Sequence, residues 1–99
     1  MSRRTFHIQA LTINGRQISQ VIVDDHAAYK HPDVTDDIVL DLIRLLDGIE
    51  LAPDDIKEPY EYFATLLTLG EKRYRLVWLL ERDQIFIGVI TAYRDKRRR

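Results

Sequence analysis

The sequence contains no cysteine, few glycines and prolines, and no long apolar run. The absence of cysteine excludes disulfides, thiolate catalysis and thiolate metal sites. Its four glycines are scattered and form no glycine-rich phosphate-binding loop. No apolar stretch reaches the roughly 18 residues of a membrane-spanning helix, and the start lacks the apolar block of a secretory signal. We therefore expect a cytoplasmic protein without membrane association.

The 99 residues have the composition of one soluble domain, with 45% hydrophobic and 31% charged residues. We predict a single domain over residues 1–95 and a basic tail over residues 96–99. The net charge of −1 hides a separation: residues 1–23 carry three arginines and no acid, residues 24–61 carry 12 acids and 3 bases, and residues 62–99 carry 4 acids and 9 bases. This pattern is typical of a solvated acidic helix with a basic tail, or of a basic surface for phosphate or an acidic partner.

Two β-rich runs, residues 5–13 and 17–23, flank the dipeptide Asn14-Gly15. Asn-Gly favours a two-residue hairpin turn because both turn positions need a positive φ. The turn sets Ile13 opposite Arg16, and regular alternation then extends the register along both strands. The expected core face of this hairpin consists of Phe6, Ile8, Ala10, Ser19, Val21 and Val23.

Apolar residues recur at helical spacing over residues 35–47, which predicts an amphipathic helix. Asp33 or Thr35 can cap its first turn, and Gly48 is the expected stop. The acidic segment Ala52 to Glu58 that follows is predicted to be a solvated loop.

Three β-rich runs complete the chain: residues 60–69, 72–81 and 84–94, joined by Gly70-Glu71 and Arg82-Asp83. The predicted fold class is therefore α+β: an N-terminal β-hairpin, one amphipathic helix, and a C-terminal three-stranded antiparallel meander packed on the helix.

If both later turns contain two residues, the register of this meander follows by counting. The expected core face consists of Phe63, Leu67, Tyr74, Leu76, Trp78, Leu80, Ile85, Ile87 and Val89. The opposite face would carry Arg73, Arg75 and Arg94 beside Tyr62, Leu66, Val77, Leu79, Phe86 and Ile90. One interpretation is an open sheet face on which arginine stems cover apolar neighbours. The other is a guanidinium cluster with aromatic neighbours, suited to phosphates and bases.

The densest polar segment, residues 24–31, contains His26, Lys30 and His31. Histidine beside lysine can act as general acid or base in phosphodiester cleavage, and it can equally form hydrogen bonds at the start of the helix. The two histidines are five residues apart, whereas ligands on one helix prefer spacings of three or four. We therefore expect neither a metal site nor a cofactor.

Lys30-His31, followed by Val34-Thr35 and the apolar helix, resembles the helix start of the BrnT-type toxins. The last two strands, residues 74–78 and 87–94, are similar to the closing strands of the RelE/ParE superfamily of ribonuclease toxins, and the basic end is compatible with it. The Asn-Gly hairpin departs from the opening of that family. The resemblance implies a ribonuclease toxin with a basic sheet face, neutralised by an antitoxin-like protein.

Two function hypotheses follow. In the first, the protein is a metal-independent endoribonuclease of toxin type whose partner is RNA or the ribosome. Its catalytic residues would be His31, His26, Lys30, Arg75 and Arg94, and its RNA-binding residues Arg73, Tyr62 and Tyr93. In the second, the protein is a non-catalytic interaction module that binds a protein partner through the mixed apolar and arginine face, and a homodimer is one form of this.

Overall fold

The structure, a computed structural model, describes residues 3–24 and 34–96. The strands are β1 (Arg3–Ile13), β2 (Arg16–Asp24), β3 (Asp55–Lys57), β4 (Tyr60–Leu69), β5 (Lys72–Glu81) and β6 (Phe86–Arg94), and helix α1 (Asp36–Arg44) lies between β2 and β3. All six strands form one sheet in the order β1-β2-β6-β5-β4-β3. Neighbouring strands are antiparallel except β2 and β6, which are parallel.

The predicted fold class is wrong. The described chain is mostly β, with one continuous mixed sheet and a single nine-residue helix, instead of a hairpin and a meander as separate parts of an α+β fold. The parallel pairing of β2 with β6 joins the N-terminal hairpin to the later strands, from Gln20 beside Phe86 to Val23 beside Val89. This contact spans more than 60 residues of chain, and local sequence patterns carry no information about it.

The Asn14-Gly15 turn is confirmed, with φ values of 53° and 75° and Ile13 paired with Arg16. Farther along, the predicted register of this hairpin is wrong. Three residues of β1, from 8 to 10, stand opposite Ser19 alone, so that Phe6 pairs with Val21 instead of the predicted Val23. This irregularity is a β-bulge, which alternation counting from the turn does not anticipate.

The bulge changes which residues of the hairpin are buried. Leu11, Ile13 and Ile18 join Val21 and Val23 in the core, whereas Ala10 is exposed and Phe6 and Ile8 are partly buried. On β2 the backbone N–H groups of Ser19 and Gln20 both donate to the carbonyl of Ile85, at 2.8 and 3.2 Å. Two successive donors to one acceptor interrupt the alternation of the strand, which explains why the buried residues Ile18 and Val21 are three positions apart.

Helix α1 begins after Thr35, whose side-chain oxygen accepts a hydrogen bond from the backbone N–H of Ile38 at 3.3 Å. It ends earlier than predicted, and a turn over residues 45–48 leads to Gly48 with a φ of 84°. The helix buries Val39, Leu42 and Ile43 against the sheet. We call the sheet face under the helix the inner face and the opposite one the outer face.

The segment after the helix covers the end of β1. Gly48 donates its backbone N–H to the carbonyl of Thr12 at 2.6 Å, and the Asp47 carboxylate accepts from the Thr12 N–H at 2.9 Å. Leu51 donates to the side-chain oxygen of Asn14 at 2.7 Å. These bonds satisfy backbone groups that an edge strand would otherwise expose.

The acidic segment predicted to be a loop contains the edge strand β3. Its three residues pair with β4, from Asp55 beside Tyr62 to Lys57 beside Tyr60. Asp54 extends the contact, because its carboxylate accepts from the backbone N–H of Ala64 at 2.7 Å. One acid of this short segment, Asp54, therefore bonds to the neighbouring strand, a role that composition does not reveal.

The predicted register of β4 and β5 is confirmed over its whole length, and Trp78 lies on the inner face opposite Phe63. The two rings stack with centroids 4.1 Å apart and an interplanar angle of 11°. The indole Nε1 donates to the hydroxyl of Thr65 at 3.0 Å. Trp78 is fully buried, so this bond satisfies a polar group that would otherwise be costly in the core.

We expect Thr65→Val to lower the free energy of unfolding by about 1–2 kcal/mol, because the indole N–H would be left buried without an acceptor. The matched control is Thr68→Val, at an exposed position of the same strand, which should change stability by less than about 0.5 kcal/mol. Urea denaturation followed by the fluorescence of the single tryptophan measures both variants. Equal stability of the two variants would contradict the assigned role of Thr65.

Candidate functional site

An open depression of about 580 Å³ lies where β5 and the end of β6 meet. It is lined by Arg75, Tyr93, Arg94, Asp95 and Lys96. Three of these residues are cationic at neutral pH and one is anionic, so the lining carries a net positive charge. A shallow basic surface of this kind suits an anionic group better than an apolar ligand.

A β-bulge in β6 determines which side chains reach the depression. Trp78 pairs with Val89 and Val77 pairs with Thr91, so Ile90 has no partner on β5. Beyond this extra residue, Tyr93 stands opposite Arg75 on the outer face. The bulge therefore brings an aromatic ring beside a guanidinium group, which a regular strand would not do.

The same bulge overturns the predicted cluster of three arginines on one face. Arg94 pairs with Tyr74, which is buried on the inner face, whereas Arg73 and Arg75 alternate with buried residues and belong to the outer face. The predicted β5–β6 register is also wrong by two residues before the bulge. Leu80 pairs with Ile87, whereas counting from a two-residue turn had set it opposite Ile85. Arg94 approaches Arg75 only at the end of the strand, where both line the depression.

The start of β6 explains the two-residue difference between the predicted and the observed β5–β6 register. The strand begins at Phe86, and Ile85, expected in the core, is 50% exposed. The carbonyl of Ile85 accepts bonds from β2, and the Gln84 N–H donates to the carbonyl of Glu81 at 3.1 Å. The connection between β5 and β6 is therefore longer than the two-residue turn assumed from Arg82-Asp83.

Asp95 is the electrostatic counterpart of Arg75 in the site. A guanidinium nitrogen of Arg75 lies 3.8 Å from a carboxylate oxygen of Asp95, and their side chains are 27% and 6% exposed. The Asp95 backbone N–H donates to the carbonyl of Arg73 at 2.9 Å, which continues the ladder beyond the last residue of β6. The carboxylate is thus held at the strand end, where it orients Arg75 and lowers the net charge of the depression.

Arg94 has an unsatisfied donor within this region. Its Nε atom is buried and has no hydrogen-bond partner in the described part of the chain. A buried guanidinium donor without an acceptor is unfavourable. Arg94 lines the depression, and its pairing with Tyr74 places it on the inner side of the strand end.

The other predicted site residues are placed as follows. Arg73 lies on the outer face opposite Thr68, one row beyond Arg75. Tyr62 shares the outer face but pairs with Leu79, four residues along β5 from Arg75, a distance of roughly 13 Å along the strand. The predicted catalytic residues His26, Lys30 and His31 lie outside the described residues.

The sequence analysis missed Asp95 and Lys96 as site residues: Asp95 was given no role at the end of the predicted domain, and Lys96 was assigned to the basic tail. The available signal was weak: an acid directly after a strand that ends in Tyr93-Arg94. Its proximity to Arg75 depends on the extra residue at Ile90, which shifts the end of β6 relative to β5. That shift is a property of the tertiary structure.

Over residues 3–24 and 34–96, no group of three or more histidine, aspartate or glutamate side chains has an arrangement that could hold a metal ion. No helix in this part of the chain has both the length and the apolar character needed to cross a bilayer.

Comparison of the chain with protein-family models, with curated protein sequences and with solved structures finds no match.

We expect Arg75→Met to lower the free energy of unfolding by about 1–2 kcal/mol, because it removes a cation from a nearly buried carboxylate. The matched control is Arg44→Met, which breaks the Arg44–Asp41 pair, whose side chains are 59% and 49% exposed. Exposed pairs contribute little, so this control should cost less than about 0.5 kcal/mol. Urea denaturation compares the two variants, and an equal cost for both would contradict a structural pair between Arg75 and Asp95.

Proposed function

We propose that the protein binds RNA through phosphates held in this depression and cleaves it, as a ribonuclease toxin of the RelE/ParE type. The observation that supports this best is the convergence of Arg75, Arg94 and Lys96 around one open depression beside Tyr93. Guanidinium groups match the geometry of phosphate oxygens, and an ammonium group adds a point charge. An aromatic ring next to them offers a surface on which a base can stack.

The distribution of acids is compatible with an RNA ligand. The acidic first turn of α1, Asp36 and Asp37, belongs to the helix that packs on the inner face. The acids of β3 and its neighbours lie at the far edge of the sheet, beyond β4. Arg75 and Tyr93 face outward, so the sheet separates them from the helix carboxylates. Repulsion between RNA and the acidic middle of the chain is reduced accordingly.

The described part of β2 ends on the same side of the sheet as the depression. Because β2 and β6 are parallel, both run toward the same end of the sheet, where β2 ends at Asp24 and β6 at Arg94. Val23 lies beside Val89, so the described part of β2 ends about four residues, or roughly 13 Å, short of Arg94. Lys30 and His31 follow Asp24 by six and seven residues, and a chain of that length can span this distance.

The one described histidine is not a candidate for proton transfer at the depression. His7 is exposed on β1 and pairs with Gln20. Strands β2 and β6 lie between β1 and β5. His7 and Arg75 are therefore separated by three strand spacings, or about 14 Å, in the direction perpendicular to the strands. The proposal therefore assigns proton transfer to Lys30, His31 and His26, and phosphate binding and charge stabilisation to the arginines.

The binding part of the proposal predicts a salt-dependent affinity for a single-stranded RNA oligonucleotide. Each lost phosphate contact should reduce the steepness of the plot of log binding constant against log salt concentration by about 0.7. It should also weaken binding to all sequences alike. We expect this for Lys96→Gln and for Arg94→Gln, measured by fluorescence anisotropy. The control is Lys57→Gln on the distant strand β3, which should bind as the unchanged protein does. Variants of the depression that match the control would contradict the assigned binding site.

The cleavage part is tested separately with His31→Ala. The variant should bind RNA with unchanged affinity and lose cleavage of total RNA and ribosome-bound message, as seen by gel electrophoresis and by growth arrest on expression. If the unchanged protein leaves both kinds of RNA intact and arrests no growth, it is not a ribonuclease toxin. A protein that also binds no RNA would favour the interaction module.

A further inference from the structure

The outer face of the sheet is apolar and open. Its central residues, given by the pairing of β2, β6, β5 and β4, are Ile22, Tyr62, Ala64, Leu66, Val77, Leu79, Phe86 and Gly88. Leu66 is 41% exposed, and Ile90 at the bulge is 42% exposed. No helix or strand among the described residues lies over this face, because α1 packs on the other side. A contiguous exposed apolar area is typical of a protein interaction site.

Small side chains surround Val77 at the middle of this face. Val77 pairs with Ala64 on one side and with Thr91 on the other. Next to them Leu79 lies across Gly88, where an added Cβ would come within 3.0 Å of a Leu79 methyl carbon. An apolar sheet face can pack against another sheet, as in aligned sheet-on-sheet packing.

Charges of opposite sign flank the centre at equal distances along β5. Arg73 and Glu81 are each four residues from Val77, and both belong to the outer face through their pairing with Thr68 and Tyr60. Four strand residues correspond to about 14 Å on either side. A half-turn about an axis that crosses β5 at Val77 therefore exchanges the positions of Arg73 and Glu81, and it sets Arg75 opposite Leu79.

From this symmetry we propose that the outer face binds a second copy of the chain. In the dimer, the two β5 strands stack antiparallel with Val77 against Val77 of the second copy. Arg73 then lies opposite Glu81 of the second copy, twice by symmetry, and these pairs define the register. This inference goes beyond the proposed RNA function and does not depend on it.

The size of the face predicts a weak dimer. Four strands spaced about 4.8 Å apart, each with about nine residues, give a projected area of roughly 600 Å² per copy. Two copies would bury on the order of 1,200 Å², the lower limit for a specific interface. We therefore expect a monomer–dimer equilibrium with a dissociation constant on the order of micromolar.

Arg75 and Tyr93 share the outer face with this interface, so a bound second copy would cover one wall of the depression. Self-association and RNA binding would then exclude each other. The tests below are made without RNA, so that their outcome is independent of the proposed function.

The first test introduces a charge on the axis. Val77→Lys brings two like charges together in the dimer and should weaken dimerisation at least about tenfold, as measured by sedimentation velocity over a range of concentrations. The control is Ile56→Lys, which changes a 54%-exposed residue of β3 away from the face and should leave the equilibrium unchanged. Tryptophan fluorescence verifies that each variant is folded. An unchanged protein that stays monomeric at hundreds of micromolar, or a dimer unaffected by Val77→Lys, overturns the proposal.

The second test exchanges the flanking charges. Arg73→Glu and Glu81→Arg should each weaken the dimer, and the double variant should regain the original dissociation constant within about threefold. The two positions are eight residues, or roughly 27 Å, apart on one strand, so they cannot compensate within one copy. Recovery therefore reports a contact between copies. Failure of the folded double variant to recover overturns the antiparallel register.

Discussion

The parallel pairing between β2 and β6 is the contact on which the sheet depends. It connects the N-terminal hairpin to the later strands and buries Val21, Val23, Ile87 and Val89 side by side. Burial of each such side chain contributes about 1.5–3 kcal/mol, so this seam supplies a substantial part of the core. Without it, the hairpin would be a two-stranded unit of the kind that is at best marginally stable in water.

Irregularities in the strands determine which side chains this sheet buries and which it exposes. The bulge between β1 and β2 moves Leu11 and Ile13 into the core, and the bulge at Ile90 turns Tyr93 outward beside Arg75. In each of these two strands, the core-facing residues are every second residue, and the bulge changes which of the two alternating sets faces the core. The basic depression therefore has its present lining because β6 does not alternate regularly.

The same sheet separates two surfaces of different chemistry. Its inner face is covered by α1 and contains the stacked pair of Phe63 and Trp78. Its outer face is apolar in the middle, and the basic depression lies at one end. Because Arg75 belongs to both the depression and the outer face, a nucleic acid and a second protein surface would compete for it. The proposed ribonuclease and the proposed dimer are thus linked by geometry.

The sequence by itself determined the local features: the Asn14-Gly15 turn, a helix cap at Asp33 or Thr35, of which the structure shows Thr35, the β4–β5 register and the inward position of Trp78. These depend on residues close together in the chain, whose φ preferences, capping groups and alternation act locally. The tertiary structure alone decided the β2–β6 pairing, strand β3, both bulges and hence the inward side of Arg94. Each of these is fixed by packing between distant segments, and one extra residue in a strand reverses the face of every residue that follows it.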